Sequence, residues 1–139
     1  MDAEERGFGE DRYRHSKLTG EIIGAFYDVY NELGYGFLEE VYEGAMAVAL
    51  TQRGIVVKTQ EPIPVWFRGH KVGDYRADLL VEKYVIVDLK AAKGIDPAHE
   101  AQLLNYLRAT DIEVGLVLNF GPKPQIKRAA FDNERKGRR

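Results

Sequence analysis

The sequence predicts an α/β protein in which helices flank a mixed β-sheet. Two segments with apolar residues at helical spacing come first, and a meander of strand-like segments follows them. A third helical segment then separates the meander from one more apolar strand. Because that strand can rejoin the sheet parallel to a neighbour only through a crossover, we expect both parallel and antiparallel pairs.

The composition limits the classes of protein and of chemistry. The chain has 139 residues, 45% of them hydrophobic, which suits one domain with its own core. It has no cysteine, so disulfides, thiolate nucleophiles and zinc–thiolate sites are excluded. The formal net charge of -2 argues against a protein that coats nucleic acid by bulk electrostatics. With no apolar run of membrane-spanning length and no signal-peptide pattern, we predict a cytoplasmic protein.

We expect three regions along the chain. Residues 1–15 mix charge and glycine without apolar periodicity and are predicted to be a mobile leader. Residues 16–131 form the folded domain. Residues 132–139 are a basic tail, for which a solvated, frayed terminus is favoured over a dedicated phosphate contact.

Apolar periodicity and stop signals predict the two N-terminal helices. In the first, apolar residues recur from Leu18 to Leu33, and Gly34 ends the helix. The second ends at Arg53 and Gly54, a cation in the last turn followed by a glycine.

The remaining elements follow from β-branched runs, prolines and caps. Four strand-like segments come next: Ile55–Thr59, Ile63–Phe67, Gly73–Val81 and Tyr84–Lys90. Pro62 and Pro64 mark the first two as edge strands, and the last two form a hairpin. Asp96 and Pro97 then supply an N-cap and a first helical residue for the third helix. A buried strand over Glu113–Asn119 and a short one over Ile126–Phe131 complete the sheet.

Two aspartates occupy the arms of the predicted hairpin, although aspartate is disfavoured in strands. Side chains alternate along a strand, so pairing the apolar residues over one core places Leu79 opposite Val87. In that register Asp78 lies opposite Asp88. Lys90 lies beside them on the same face.

This arrangement has two interpretations. Facing carboxylates destabilise a sheet, and a divalent cation removes the conflict, since Mg²⁺ commonly binds one or two carboxylates with water and substrate phosphate. The alternative is a solvated polar face on which Lys90 forms an ordinary ion pair. Leu80 and Ile86 share the acidic face, which indicates partial cover and favours the metal site.

Three motifs together resemble those of the PD-(D/E)xK nuclease superfamily, whose core is the restriction-endonuclease-like α/β fold. They are Asp78 followed after nine residues by Asp88-Leu89-Lys90, a GxxExxY pattern over Gly36–Tyr42, and the QxxxY helix motif of the RecB-like branch over Gln102–Tyr106. GxxExxY is also the name of a family of small proteins within that superfamily. The resemblance runs from about Leu18 to about Arg128. The sequence departs from the superfamily pattern at two positions. Asp88 stands where Glu is commoner, and Ala77 stands where the superfamily name has proline.

The resemblance implies a role for each matched residue. Asp78 and Asp88 would ligate Mg²⁺ or Mn²⁺, with the Leu89 carbonyl as a third protein oxygen. Lys90 would orient or deprotonate the attacking water and offset charge in the transition state. Glu39 would complete the acidic cluster, directly or through a metal-bound water.

On the third helix, Gln102 and Tyr106 lie one turn apart on one face and would buttress the site or contact the substrate backbone. Without the family pattern, Glu39 is interpreted as a solvated helix glutamate and Tyr106 as ordinary core packing.

The resemblance therefore implies a divalent-metal-dependent nuclease that hydrolyses DNA phosphodiester bonds. The alternative is a catalytically silent nuclease-fold module that binds nucleic acid or a protein partner. A third hypothesis, a symmetric homodimer that cuts DNA junctions, is permitted by the fold and not decided by the sequence.

Overall fold

The computed structural model describes residues 15–137, so the predicted leader lies outside the described residues except for His15, as do the last two residues of the basic tail. The elements are helices α1 (Ser16–Leu33), α2 (Glu39–Gln52) and α3 (Pro97–Ala109) and strands β1 (Val57–Phe67), β2 (His70–Val81), β3 (Val85–Lys90), β4 (Val114–Phe120) and β5 (Pro124–Ala130). A short 3-10 helix, Asn133–Arg135, follows β5. The Asp96 carboxylate caps α3 by accepting from the Ala98 N–H at 2.8 Å, as predicted.

One mixed sheet contains all five strands, in the order β1-β2-β3-β4-β5. Strands β3 and β4 are parallel and the other neighbouring pairs are antiparallel. Helix α3 makes the crossover that the parallel pair requires. This arrangement confirms the predicted α/β class with a mixed sheet flanked by helices.

The sheet has an apolar core on each face. On one face, α1 and α2 bury Phe26 and Tyr42 against β3 and β4. On the other face, α3 buries Leu103 and Leu107 against Ile86 and its neighbours. Because β4 is covered on both sides, all seven of its residues are buried. Within residues 15–137, none of the helices combines the length and apolar character needed to cross a membrane.

The prediction of two separate edge strands over residues 55–67 is wrong, because β1 is continuous through Pro62 and Pro64. Among the strands of residues 15–137, β1 lies at the sheet edge and is paired with β2. The two prolines are two residues apart, so their missing N–H groups point to the same side, and an edge strand can leave that side unpaired. The ladder lacks a pair at Gln60, which has a φ of 53°, and its register shifts between Val65 and Trp66.

The prediction of a frayed tail is wrong for residues 132–136. Lys136 Nζ donates to the Thr110 carbonyl oxygen at 2.8 Å, at the C-terminal end of α3. The Asn133 N–H donates to Glu113 Oε2 at 2.7 Å. A cation at a helix C-terminus satisfies carbonyl groups that lack intrahelical partners, so this part of the tail packs against the domain.

We predict that Gly121→Ala strongly destabilises the fold. A Cβ at Gly121 would lie 2.1 Å from the Ala92 carbonyl oxygen, which is itself held by Asn119 Nδ2 at 2.9 Å. Overpacking against backbone should lower the free energy of unfolding by roughly 2–3 kcal/mol, measured by urea denaturation. Gly44→Ala is the matched control, because a Cβ at Gly44 meets nothing within 4 Å and alanine favours a helix by about 1 kcal/mol. Equal losses in both variants would contradict this packing.

Candidate active site

The short turn between β2 and β3 sets the register of the two aspartates. It comprises residues 82–84, and Leu79 pairs with Val87 further along the hairpin, which is the predicted register. Asp78 and Asp88 are the next residues beyond this pair. Regular alternation does not hold at Asp78, because Ala77 packs in the core under α3 and Leu79 packs in the core under α1 and α2. The closeness of the two acids is shown by Asp78 raising the pKa of the Asp88 carboxyl.

Beyond that pair the strands separate, and the Asp78 side chain spans the gap. Its Oδ2 accepts a hydrogen bond from the Leu89 N–H at 2.8 Å. This carboxylate takes the role that a backbone carbonyl of β2 would have in a continuous ladder. Its other oxygen lies 3.4 Å from Gln60 Nε2, which also donates to Glu43 at 2.7 Å. The aspartate thus satisfies a β3 amide at the point where the sheet opens.

Asp88 faces α3 and is only 7% exposed. Its Oδ1 accepts a hydrogen bond from the Tyr75 hydroxyl. The Tyr75 ring stacks on Tyr106 of α3, with 3.9 Å between the ring centroids. Tyr75 lies outside the predicted site residues, although a tyrosine at a buried strand position usually needs a partner for its hydroxyl.

The surroundings of Asp88 disfavour its charge. Burial raises the pKa of the Asp88 carboxyl, and the neighbouring Asp78 also raises it, whereas the Tyr75 hydrogen bond, Lys90 and His99 act in the opposite direction. Burial and Asp88 likewise raise the pKa of the Tyr75 hydroxyl, which keeps it a proton donor. A cation beside the pair would stabilise the ionised form.

Lys90 and Glu39 both lie near the end of β3. Lys90 is half-buried and close enough to Asp88 to lower its pKa. Glu39, the first residue of α2, is exposed, and its Oε2 accepts from the Ala91 N–H at 3.3 Å. Across residues 15–137, no group of three or more Asp, Glu or His side chains is close enough to hold an ion. The structure therefore pairs Asp78 with Asp88 and does not gather Glu39 into the same compact cluster.

Tyr106 and Gln102, the two predicted site residues of α3, lie in different surroundings. Tyr106 is linked to Asp88 through the stacked Tyr75 ring. Gln102 is exposed and lines an open surface groove with Tyr106 and Asn105. Tyr106 thus belongs to the support of the acidic pair, and Gln102 lies on the adjoining surface.

The Gly, Glu and Tyr of the GxxExxY pattern form one local structure. Gly36 has a φ of 113°, which glycine adopts without strain. The Tyr42 hydroxyl donates to the Gly34 carbonyl at 2.6 Å and accepts from the Phe37 N–H at 3.3 Å. The tyrosine thereby fixes the loop between α1 and α2, which places Glu39 at the end of β3.

The model of the PD-(D/E)XK nuclease superfamily matches residues 16–129. The chain therefore belongs to the PD-(D/E)XK nuclease superfamily. The crystal structure of SSO0001 has a similar fold, with a TM-score of 0.52 and 19% sequence identity. The similarity covers 87% of this chain and 60% of that chain, so this chain spans about three-fifths of the other structure. A search of curated protein sequences gives no match.

The raised pKa of Asp88 predicts a pH dependence of the metal-free protein. Because the folded state binds this proton more tightly than the unfolded chain, Asp88 stabilises the fold at low pH, and that contribution is lost as the pH rises through its folded-state pKa. Asp88→Asn should therefore be as stable as wild type or more stable at pH 8, and the difference should shrink as the pH falls. Urea unfolding of both proteins in EDTA, at pH 8 and at a series of lower pH values, measures this difference in stability. A wild type that gains stability over Asp88→Asn with rising pH would contradict the assignment.

A second variant isolates the hydroxyl that supports Asp88. Tyr75→Phe keeps the ring stacked on Tyr106 and leaves a buried carboxylate without its donor. The free energy of unfolding at pH 8 should fall by about 1–3 kcal/mol. In the Asp88→Asn background the same substitution should cost less, because no buried charge is left unpaired. Equal costs in both backgrounds would mean that the hydrogen bond contributes little.

Proposed function

We propose that this protein is a divalent-metal-dependent nuclease that hydrolyses DNA phosphodiester bonds, with residues 16–131 as the nuclease domain. The observation that carries the proposal is the pair Asp78 and Asp88 at the opening between β2 and β3, with Lys90 beside it. Superfamily membership supports the reaction class. The GxxExxY and QxxxY patterns support a place in the GxxExxY family and the RecB-like branch.

The residues fit a hard divalent cation. Hydrogen bonds to Leu89 and Tyr75 engage one oxygen of Asp78 and one of Asp88, which orients both carboxylates. Mg²⁺ and Mn²⁺ prefer such oxygen donors. We assign both aspartates and the Leu89 carbonyl as protein ligands, with Glu39 acting through a water. A bound ion would supply the positive charge that activates water and offsets charge on the phosphate.

The side chains around the pair have separate tasks in this proposal. Lys90 Nζ orients the attacking water and stabilises the charge that develops on the phosphate oxygens. Tyr75 and Tyr106 hold Asp88 in position. Gln102, on the exposed face of α3, contacts the substrate backbone.

A catalytically silent module that binds nucleic acid or a protein partner is the second candidate. One observation favours it: in the part of the chain that the structure describes, no compact cluster of three acidic or histidine side chains forms. Glu39 is hydrogen-bonded to the Ala91 N–H instead. Metal binding and cleavage assays separate the two candidates.

Metal binding should raise the melting temperature of the wild type, because the ion binds the folded state. Mn²⁺ or Mg²⁺ titrated into the protein during thermal denaturation should give a shift that Asp78→Asn and Asp88→Asn lack. Asp74→Asn is the matched control on the same strand, since its carboxylate pairs with Lys71 at 3.2 Å at an exposed position. A shift that survives both substitutions would place the ion elsewhere.

Cleavage should require Lys90 even though metal binding does not. Lys90→Ala should keep the metal-induced shift in melting temperature and lose cleavage by about a hundredfold or more, as when a group that stabilises transition-state charge is removed. Plasmid and single-strand cleavage with Mn²⁺ or Mg²⁺ measures it. No cleavage and no metal-induced shift in the wild type would favour the silent module.

A further inference from the structure

An exposed apolar loop lies next to the candidate active site. It comprises residues 34–38, between α1 and α2, and will be called the 34–38 loop. Tyr35, Phe37 and Leu38 in this loop are 61%, 45% and 72% exposed. Single exposed apolar residues are ordinary, whereas three large ones in five residues indicate a binding surface.

The loop is anchored, so the exposure of its rings does not come from fraying. Tyr42 holds both ends of the turn through hydrogen bonds to Gly34 and Phe37. The Phe37 ring packs edge-on against Tyr42, with 5.9 Å between centroids, and Tyr42 stacks on the buried Phe120 at 4.1 Å. A column of rings therefore runs from the core to the surface and presents Phe37 in a fixed position.

The loop adjoins the strand end that carries the acidic pair. Glu39 follows the loop directly, and its carboxylate accepts from the Ala91 N–H. Ala91 is the residue after Lys90. The exposed rings are therefore at the same edge of the sheet as the proposed catalytic lysine.

Two exposed lysines follow residues that contact the neighbourhood of the loop. Lys93 is two residues after Ala91, whose N–H donates to Glu39. Lys123 is two residues after Gly121, whose carbonyl accepts from the Tyr30 hydroxyl at 2.7 Å. Glu32, Glu39 and Glu40 border the loop in sequence and are exposed, so acidic and basic side chains are mixed on this surface. Exposed aromatic faces beside a proposed phosphodiester-cleaving site suit a polymer that alternates bases with phosphates.

We propose that Tyr35 and Phe37 stack on unpaired bases of a nucleic acid, so that the preferred substrate is a single strand or the single-stranded end or branch of a duplex. Bases within a continuous duplex are already stacked and paired, whereas unpaired bases have free faces for aromatic side chains. This inference rests on the proposed nuclease function and specifies its substrate class.

The test compares binding of a fluorescein-labelled single strand and of the corresponding duplex to the full chain, by anisotropy in EDTA, where cleavage plays no part. Wild type should bind the single strand more tightly. The double variant Tyr35→Leu/Phe37→Leu keeps apolar bulk and removes the ring faces, so single-strand affinity should fall at least about tenfold while duplex affinity changes little. Tyr84→Leu, at an exposed ring that precedes β3 and lies outside the loop, should leave both affinities unchanged.

Equal affinity for single strand and duplex, or unchanged single-strand binding by the double variant, would overturn the proposal. A wild-type dimer in analytical ultracentrifugation that Phe37→Ala dissociates would assign the surface to a second copy of the chain and overturn it as well. Cleavage with Mn²⁺ is measured in parallel. If single-strand binding depends on the two rings but no cleavage occurs, the stacking surface is supported and the nuclease function is contradicted. If cleavage occurs but binding does not depend on the rings, the nuclease function is supported and the stacking surface is contradicted.

Discussion

The hydrogen bond from the Leu89 N–H to the Asp78 carboxylate, 2.8 Å long, is the contact on which the geometry of the site depends. Beyond Leu79 and Val87 the two strands no longer pair through their backbones. A β3 amide without an acceptor at this point would be costly, and the aspartate supplies the acceptor. The same bond holds Asp78 near Asp88, so the two acids are brought together at the point where the sheet opens.

Holding two acids together requires support from both helical layers. From the α3 layer, Tyr106 positions the ring of Tyr75, whose hydroxyl donates to Asp88. From the opposite layer, the Tyr42 hydroxyl holds the 34–38 loop through hydrogen bonds with Gly34 and Phe37, and the loop places Glu39 at the end of β3. Each of these contacts is a hydrogen bond or ring stack between rigid elements, which suits a site that must keep like charges close before a counter-ion binds.

Local patterns predicted the helices and the hairpin register, since alternation of residues such as Leu79 and Val87 is a property of short segments. They failed for β1, because the tolerance of its prolines depends on its position at the sheet edge. The contact of Lys136 with the end of α3 and the partner of the Tyr75 hydroxyl were likewise missed, since both join segments distant in sequence. The significance of Glu39 came only from the family pattern, because a glutamate in the first turn of a helix is ordinary.

In the proposed site the two aspartates at the opening of the sheet bind one divalent ion. Anomalous diffraction from a crystal grown with Mn²⁺, with an Asp78→Asn crystal as the control, would locate that ion. We expect one anomalous peak within ligand distance of an oxygen of Asp78, an oxygen of Asp88 and the Leu89 carbonyl, and loss of that peak in the control. A Mn²⁺ peak away from these oxygens, or an empty site at saturating Mn²⁺, would contradict it.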